Sequence, residues 1–473
     1  MENIIIQVCK YIDIAIIMVY TINALAMLWR KKDDDLKWNY RSQNMLLLLF
    51  HATSYFAIVI YKREIEYLIF YGAQVIYFII YMIMYSKVHK KCYKPLLSNM
   101  MLLLSIGFVI LARLSLDKAL RQFVFVCVAS IVTLIVPIFV RKLKAAKTWA
   151  GTCGVIGLLL LIVVLGSSKV YGANLSIGIG PFSFQPSEFV KISYVLMVAV
   201  LLRNRKDFKR VFFATGIAAV HVLVLVISTD LGGALIYFLT YLCMLYVATG
   251  QVGYVYSGLT LGSIAAWVAY LLFSHVKVRV EAWIDPWSII DNKGLQIAQS
   301  LFAIGTGGWF GSGLYKGMPQ TIPVVTKDYT FSAISEEMGG IVAVCVVIIC
   351  ICCFVKFMKI SMSINVKFYR LIGVGMACLY SIQLFLVVGG VTKFIPSTGV
   401  TLPFVSYGGS SIFSAFILFG IMQGLYIMRQ NEDERIEQRK EMEQKRELER
   451  RKKAAEIEKR AREGSSKART QRI

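Results

Sequence analysis

The chain alternates long apolar stretches with shorter polar ones. Several apolar stretches reach the roughly 20 residues that an α-helix needs to cross a bilayer, and sliding hydropathy predicts about thirteen of them. Their centres lie near positions 16, 52, 76, 105, 131, 156, 195, 218, 240, 263, 345, 380 and 415. A transmembrane β-barrel would show short segments of alternating polarity instead. The pattern therefore predicts an all-α polytopic membrane protein.

Composition agrees with this class, because 57% of the 473 residues are hydrophobic, 17% are charged and the mean hydropathy is +0.63. Basic clusters recur in every second polar stretch, at 30–32, 87–94, 141–147, 203–210 and 356–370. The positive-inside rule assigns these stretches to the cytoplasm, which predicts an outer N-terminus and a cytoplasmic C-terminus. No signal-peptide pattern precedes the first span, which is predicted to stay uncleaved. Despite the net charge of +24, we expect no nucleic-acid partner, since no soluble module is present to bind one.

Two of the predicted outer stretches are long, about 167–187 and 274–331. The second far exceeds the usual connection between helices, and such loops frequently form a lid or a site. Within it, 294–312 is predicted to form a short re-entrant or interfacial helix followed by a tight glycine turn. The segment 429–473 is a mixed-charge tail, predicted as a solvated cytoplasmic helix that frays after Gly464. Weak binding to anionic lipid or to a cytoplasmic partner remains an alternative.

Three acids mark the segment 323–340, which closes the long loop and opens the next span: Asp328, Glu336 and Glu337. Carboxylates at membrane depth are costly, so such a group is a functional-site hypothesis by default. Asp328 has a structural alternative, as the N-cap of the following helix. Capping does not account for Glu336 or Glu337, which need buried polar partners.

Other polar groups lie at the predicted outer boundary. Glu188 and Lys191 are three residues apart, hence on one face of a helix. They form either a buried ion pair that fixes two helices or the charged wall of an outward-facing cavity, and both interpretations remain open. Asp230 is predicted to be a helix N-cap. The Pro- and Gly-rich stretch 396–411 is predicted to line a wet cavity, where irregular backbone at membrane depth is tolerated.

An ordered series of motifs resembles the SEDS family of RodA-, FtsW- and SpoVE-type proteins. The series comprises QPSEFVK at 185–191, DP at 285–286, GLQIAQS at 294–300, the glycine turn at 305–313, the segment 328–339, and PFVSYGGSS at 403–411. The resemblance covers 97–428 and implies a core of ten spans, the last ten of the thirteen, containing the extracytoplasmic loop 274–331. The region 1–94 lies outside it and is predicted to add about three spans, for packing or partner binding.

The resemblance implies a peptidoglycan glycosyltransferase of the bacterial cytoplasmic membrane. Such an enzyme polymerises lipid II at the outer face during division, elongation or sporulation, beside a class B penicillin-binding protein. The family's essential aspartate falls on Asp328, either as general base or as ligand of a divalent cation, Mg or Mn; no other cofactor is implied. The predicted substrate-cavity residues are Glu188, Lys191, Arg113, Glu336, Glu337, Ser406 and Gly408. Lys191 or Arg113 is expected to stabilise the leaving pyrophosphate.

One residue departs from the family pattern next to the essential acid. Lys327 stands where the family usually has Thr, and we expect it to pair with Asp328 and lower its basicity. Two other functions remain as alternatives, a flippase for lipid-linked precursors and a non-catalytic scaffold of the division complex. A transporter more often shows inverted repeats and a site at the bilayer midplane, whereas this chain shows no repeat and gathers its charges on the outer side.

Overall fold

The computed structural model describes residues 2–29, 33–142, 146–166, 177–179, 182–203, 208–291 and 294–470. Helices dominate this part of the chain, beside one short antiparallel hairpin and one 3-10 helix, Pro319–Thr321. The helices are α1 Glu2–Ala26, α2 Asp33–Lys62, α3 Ile65–Val88, α4 Lys94–Leu114, α5 Leu116–Lys142, α6 Ala146–Leu165, α7 Pro186–Leu202, α8 Phe208–Ile227, α9 Leu231–Thr249, α10 Val252–Leu272, α11 Ser274–Ile284, α12 Leu295–Gly307, α13 Thr330–Glu337, α14 Gly340–Met362, α15 Lys367–Val391 and α16 Gly409–Thr470.

Eleven helices of the described ranges are long and apolar enough to cross a membrane: α1 to α5, α8 to α10 and α14 to α16. Each of the thirteen predicted centres lies within a helix, but two of those helices are shorter. The apolar part of α6 is Gly151–Leu165, and α7 has 17 residues. The all-α multi-pass architecture is therefore confirmed, whereas the count of thirteen spans is not.

Helix α4 forms the centre of the bundle. Its most apolar window is entirely buried, as expected for a helix that is hydrophobic on all sides. It packs against α2, α3, α5 and α14. Helix α10 is the opposite case, because none of its residues is buried and it packs mainly against α9 and α11. Its apolar surface is the kind that lipid covers in a membrane.

The basic loops gather at one end of the bundle. Lys91 Nζ donates to Asn431 Oδ1 at 2.7 Å, and Lys359 Nζ donates to the Leu28 carbonyl at 2.7 Å. Arg429 also donates to the carbonyl of Ser363. The end of α1, the basic loops 87–94 and 356–370 and the root of the tail thus lie together, as the positive-inside pattern requires. Their assignment to the cytoplasm stays a prediction.

The long polar stretches contain ordered elements. In 274–331 they are α11, α12 and the 3-10 helix, and the turn after α12 has positive φ at Gly308, Gly311 and Gly313. The predicted short helix and glycine turn are confirmed. In 167–187 strands β1 Ile177–Ile179 and β2 Phe182–Phe184 pair antiparallel; residues 167–176 and 180–181 lie outside the described residues.

The charged tail continues the last span without interruption. Helix α16 runs for 62 residues and passes Gly464 before it ends at Thr470. The helix end predicted at Gly464 is therefore wrong, because one glycine inside a helix costs only about 1 kcal/mol.

Candidate functional site

Asp328 lies in the loop that precedes α13. The capping interpretation is wrong: the N-cap of α13 is Tyr329, which makes no side-chain cap bond. The hydroxyl of Thr330 turns back instead and donates to the Val325 carbonyl at 3.0 Å. Among the hydrogen bonds of the described residues, none is accepted by the Asp328 carboxylate. The local structure of the described residues therefore supplies no hydrogen-bond donor to this carboxylate.

The loop 396–401 runs beside Asp328 and carries its neighbours. Arg279, from α11, donates through Nη1 to the Ser397 carbonyl at 3.2 Å, and the Tyr329 hydroxyl donates to Ser397 Oγ at 3.2 Å. Gly399 sits between the two charged groups. A Cβ placed on it would lie 3.7 Å from Asp328 Oδ2 and 4.0 Å from Arg279 Nη2. A small residue with positive φ, here +73°, therefore lets the loop pass close to the carboxylate.

The electrostatics of Asp328 reflect two opposing effects. Burial raises its pKa to about 6, while the positive charges of Lys327 and Arg279 act to lower it. The expected effect of Lys327 thus has the right direction, but desolvation is larger and the carboxylate is more basic than an ordinary aspartate. Lys327 is exposed, and among the described ion pairs none joins it to Asp328, so the expected direct pair is absent.

The predicted ion pair between Glu188 and Lys191 is confirmed at the start of α7. Lys191 Nζ lies 2.7 Å from Glu188 Oε2 and 3.0 Å from Gln383 Oε1 of α15. The hydroxyl of Ser414, from α16, donates to Glu188 Oε2 at 2.7 Å. The pair therefore joins three helices. Lys191 is 5% exposed, as the structural interpretation requires, while the cavity interpretation stays a prediction.

The same network reaches the loop before α16. Gln383 Nε2 donates to the Thr401 carbonyl at 2.9 Å. On the other side of the loop, Gln122 of α5 donates to the Ser406 carbonyl at 3.1 Å and accepts from the Gly408 amide at 3.2 Å. Ser406 Oγ accepts from the backbone of residue 402. The predicted cavity residues Ser406 and Gly408 are thus held by α5, and their contact with a substrate stays a prediction.

A further hydrogen bond ties this loop to the Asp328 loop: the amide of Tyr407 donates to the Thr326 carbonyl at 2.8 Å. Asp230, at the start of α9, is the last of the predicted polar residues of this region. Its carboxylate accepts from the Gly233 amide at 2.8 Å, so the predicted N-cap is confirmed. Burial raises the pKa of Asp230, and Arg279 opposes that rise. Arg279 therefore acts on both aspartates.

The acids at the far end of α13 have protein partners. Both Glu337 oxygens accept from Arg113 Nε at 2.8 Å, and one also accepts from the Tyr315 amide at 3.1 Å. Glu336 Oε1 accepts from the Met318 amide at 2.7 Å. Glu337 therefore has the buried partners that the sequence required, whereas Glu336 has one for Oε1 and, among the described residues, none for Oε2. Arg113, Glu336 and Glu337 hold the turn 311–318, and their placement in a substrate cavity stays a prediction.

Sequence reasoning missed Arg279 and Ser397. Ser397 gives no chemical signal of its own in a polar loop. Arg279 did give one: it lies in a loop predicted to be outside, where the positive-inside rule disfavours basic residues. Arg279 lies six residues before the Asp285–Pro286 motif. Because the positive-inside rule disfavours a cation there, its presence points to a nearby acid.

Comparisons with known proteins agree with this architecture. The family model FtsW/RodA/SpoVE, described as a cell cycle protein, matches residues 96–431. The chain is 32% identical over 362 residues to peptidoglycan glycosyltransferase RodA of Mycobacterium tuberculosis, covering 69% of this chain and 76% of that protein. It is 32% identical over 288 residues to stage V sporulation protein E of Bacillus subtilis, covering 58% and 78%.

Two solved structures share the fold. A chain from the structure described as "Structural coordination of polymerization and crosslinking by a peptidoglycan synthase complex" aligns with a TM-score of 0.60 and 23% identity, over 71% of this chain and 97% of that one. Rod shape determining protein RodA of Thermus thermophilus aligns with a TM-score of 0.51 and 23% identity, over 70% and 95%. At this identity the likeness shows the fold alone.

Proposed function

Because the chain belongs to the FtsW/RodA/SpoVE family of cell cycle proteins, we propose that it is a peptidoglycan glycosyltransferase that polymerises lipid II at the outer face of the bacterial cytoplasmic membrane. The observation that carries the proposal is Asp328, an acid of raised pKa at the junction of α11, the 396–401 loop and the start of α13. Curated relatives from mycobacteria bear the name of this activity.

Asp328 is the general base of the proposed reaction. With a pKa of about 6, roughly nine-tenths of its carboxylate is ionised at pH 7, and it is a better proton acceptor than an ordinary aspartate. A sugar hydroxyl of the acceptor loses its proton to Asp328 as its oxygen bonds to the anomeric carbon of the donor. The bond from that carbon to the donor's pyrophosphate breaks, and undecaprenyl pyrophosphate leaves with the bonding electron pair.

Cations for the leaving pyrophosphate are available around the same loop. Lys118, Arg121 and Lys327 are exposed, and Lys118 Nζ donates to Thr326 Oγ1 at 3.3 Å. Lys118 and Arg121 are three residues apart on α5, so they share one face. We assign the binding of the leaving pyrophosphate to these three side chains rather than to Arg113 or Lys191, which are already paired with Glu337 and Glu188.

A divalent cation fits this site poorly. Within the described ranges no group of three His, Cys, Asp or Glu side chains is placed to hold a metal ion. Around Asp328 the nearby charges are those of Lys327 and Arg279, which repel a cation. The mechanism therefore uses side-chain charges, and no step is routed through a metal.

The proposed partner is a class B penicillin-binding protein, the transpeptidase that would crosslink the new strands. The solved complex with a similar fold, described as coordinating polymerization and crosslinking, supports this proposal. Co-purification of the full chain with co-expressed candidate transpeptidases tests it, and retention of one such protein through a second affinity step is the expected result.

Full-length protein in lipid nanodiscs, given fluorescent lipid II with and without the co-purified transpeptidase, tests the activity. A ladder of glycan strands is expected from the wild type and not from Asp328→Asn. The matched control is Asp117→Asn, an exposed acid in the first turn of α5, which should leave the ladder unchanged. Absence of glycan in every sample, together with movement of lipid II across proteoliposome membranes, would overturn the proposal in favour of a flippase.

A further inference from the structure

The three N-terminal helices lie outside the region that the family model matches, which begins at residue 96. They are nevertheless packed into the bundle: α1 lies against α14, α2 against α4 and α3 against α5. The buried acid Asp13 of α1 accepts from Ser54 Oγ of α2 at 2.8 Å. Tyr20 of α1 donates to Asn99 Oδ1 of α4 at 3.0 Å. Helix α1 is therefore fixed on both neighbours.

The first three turns of α1 hold the turn 311–316. Gln7 Nε2 donates to the Ser312 carbonyl at 3.1 Å, and Lys10 Nζ donates to the Gly311 carbonyl at 3.1 Å. These two bonds come from one face of the helix, since positions three apart are neighbours. The end of α2 adds a second contact, where Tyr61 stacks on Tyr315 with ring centroids 4.2 Å apart.

That turn in turn holds the C-terminal end of α13. The amide of Ser312 donates to the Glu336 carbonyl at 2.8 Å and that of Gly313 to the Glu337 carbonyl at 2.9 Å. A Cβ on Gly311 would lie 2.4 Å from the Glu337 carbonyl oxygen, so the two backbones are in direct contact. The turn and the end of α13 are therefore joined by two backbone hydrogen bonds and by direct backbone contact.

Helix α13 is a short rod, and Asp328 lies two residues before its first residue, Thr330. All eight of its residues are buried, and at 1.5 Å per residue it spans roughly 12 Å. A shift at Glu336 and Glu337 is passed to Asp328, because a buried helix has no free volume in which to bend.

We infer that α1 is a built-in positioning element for the Asp328 site, and that Gln7 and Lys10 are its positioning residues, acting through the turn 311–316 and α13. This inference rests on the proposed function for its kinetic readout. On this inference, a helix outside the family match, which begins at residue 96, helps to place the acid that lies within it.

The test compares two lysines that each tether one end of α1. Lys10, near the start of α1, donates to the Gly311 carbonyl, and Lys359 of α14 donates to the Leu28 carbonyl, just after α1 ends. Lys10→Met removes the contact with the turn, whereas the control Lys359→Met removes the bond to the Leu28 carbonyl at the other end. Because a hydrogen bond from a charged group contributes to stability, both variants lose one tether of α1. We expect Lys10→Met to lower kcat for glycan synthesis about tenfold with KM for lipid II unchanged, Lys10→Arg to restore most of it, and Lys359→Met to keep the wild-type kcat.

Hydrogen–deuterium exchange of the same variants provides a readout that does not need activity. In Lys10→Met, exchange is expected to rise in 311–318 and in 322–329 around Asp328, and in Lys359→Met it is not. Equal kcat and equal exchange in the two variants would overturn the inference while leaving the polymerase proposal standing. Faster exchange around Asp328 in a protein that makes no glycan at all would sink the polymerase proposal and keep the coupling.

Discussion

Two acids of one short segment, Asp328 just before α13 and Glu337 at its last residue, lie in different surroundings. At the C-terminal end, Glu337 is matched by Arg113 at 2.8 Å on both oxygens and by a backbone amide. Just before the N-terminal end, Asp328 has positive charge nearby, from Lys327 and Arg279, but accepts no hydrogen bond among the described residues. Burial raises the pKa of both acids, so hydrogen-bond partners, not pKa, distinguish them. A buried acid whose oxygens are occupied by protein donors holds structure together, whereas one without such donors keeps its oxygens open to a substrate.

The largest expected effect is on activity, at the Asp328 end. Asp328→Asn should lower the rate of glycan synthesis by about a thousandfold or more, the upper range for loss of a general base. Its stability should be equal or higher. Since the folded pKa is raised above the ordinary value of 3.8, this acid lowers the stability of the fold as pH rises from about 4 to 6, and Asn removes that cost.

Turnover and thermal unfolding measured on one nanodisc preparation check this contrast. An unfolding midpoint that drops together with activity would mean that Asp328 is structural, like the acids at the other end of the helix.

The next effect is on stability, at the Glu337 end. Glu337→Gln leaves the Arg113 guanidinium buried without its countercharge, which costs about 3–5 kcal/mol. The double variant Arg113→Met with Glu337→Gln should regain part of that loss, because no charge is then left unpaired. Denaturant unfolding of four proteins gives the comparison: the wild type, Glu337→Gln, Arg113→Met and the double variant. Additive losses in the double variant would show that the two residues act independently.

A smaller effect is expected from pH. Activity should fall about tenfold per pH unit below pH 6, because protonated Asp328 cannot accept the hydroxyl proton. Lys327→Thr removes a charge that lowers this pKa, so the acid limb should move to higher pH. The shift should stay under about one unit, since an exposed charge is screened by solvent and salt. Rate–pH profiles at low and high ionic strength measure it, and identical profiles for the two proteins would exclude any action of Lys327 on Asp328.

Features set by neighbours in sequence could be predicted, and features set by distant contacts could not. The Glu188–Lys191 pair and the Asp230 cap follow from residues three apart on one helix. The failed cap at Asp328 was also a local prediction, but α13 begins at Thr330 and so leaves the acid one residue too early. Arg279 meets Asp328 across Gly399 only because α11 and the 396–401 loop converge, and no local pattern specifies that.

The smallest effect concerns the glycine that lets the loop reach Asp328, and a second glycine provides its control. Gly399 and Gly250 have nearly the same positive φ, +73° and +72°. A Cβ on Gly399 meets Asp328 at 3.7 Å, whereas one on Gly250, at the C-cap of α9, meets nothing within 4 Å.

Alanine at either position should cost a similar 1–2 kcal/mol of backbone strain, seen as similar drops in unfolding free energy. Only Gly399→Ala should also lower turnover, by roughly threefold to tenfold, because the strained loop shifts the carboxylate from its position. If Gly250→Ala slows glycan synthesis as much, the loss reflects general destabilisation, and the close approach of the 396–401 loop has no part in placing Asp328.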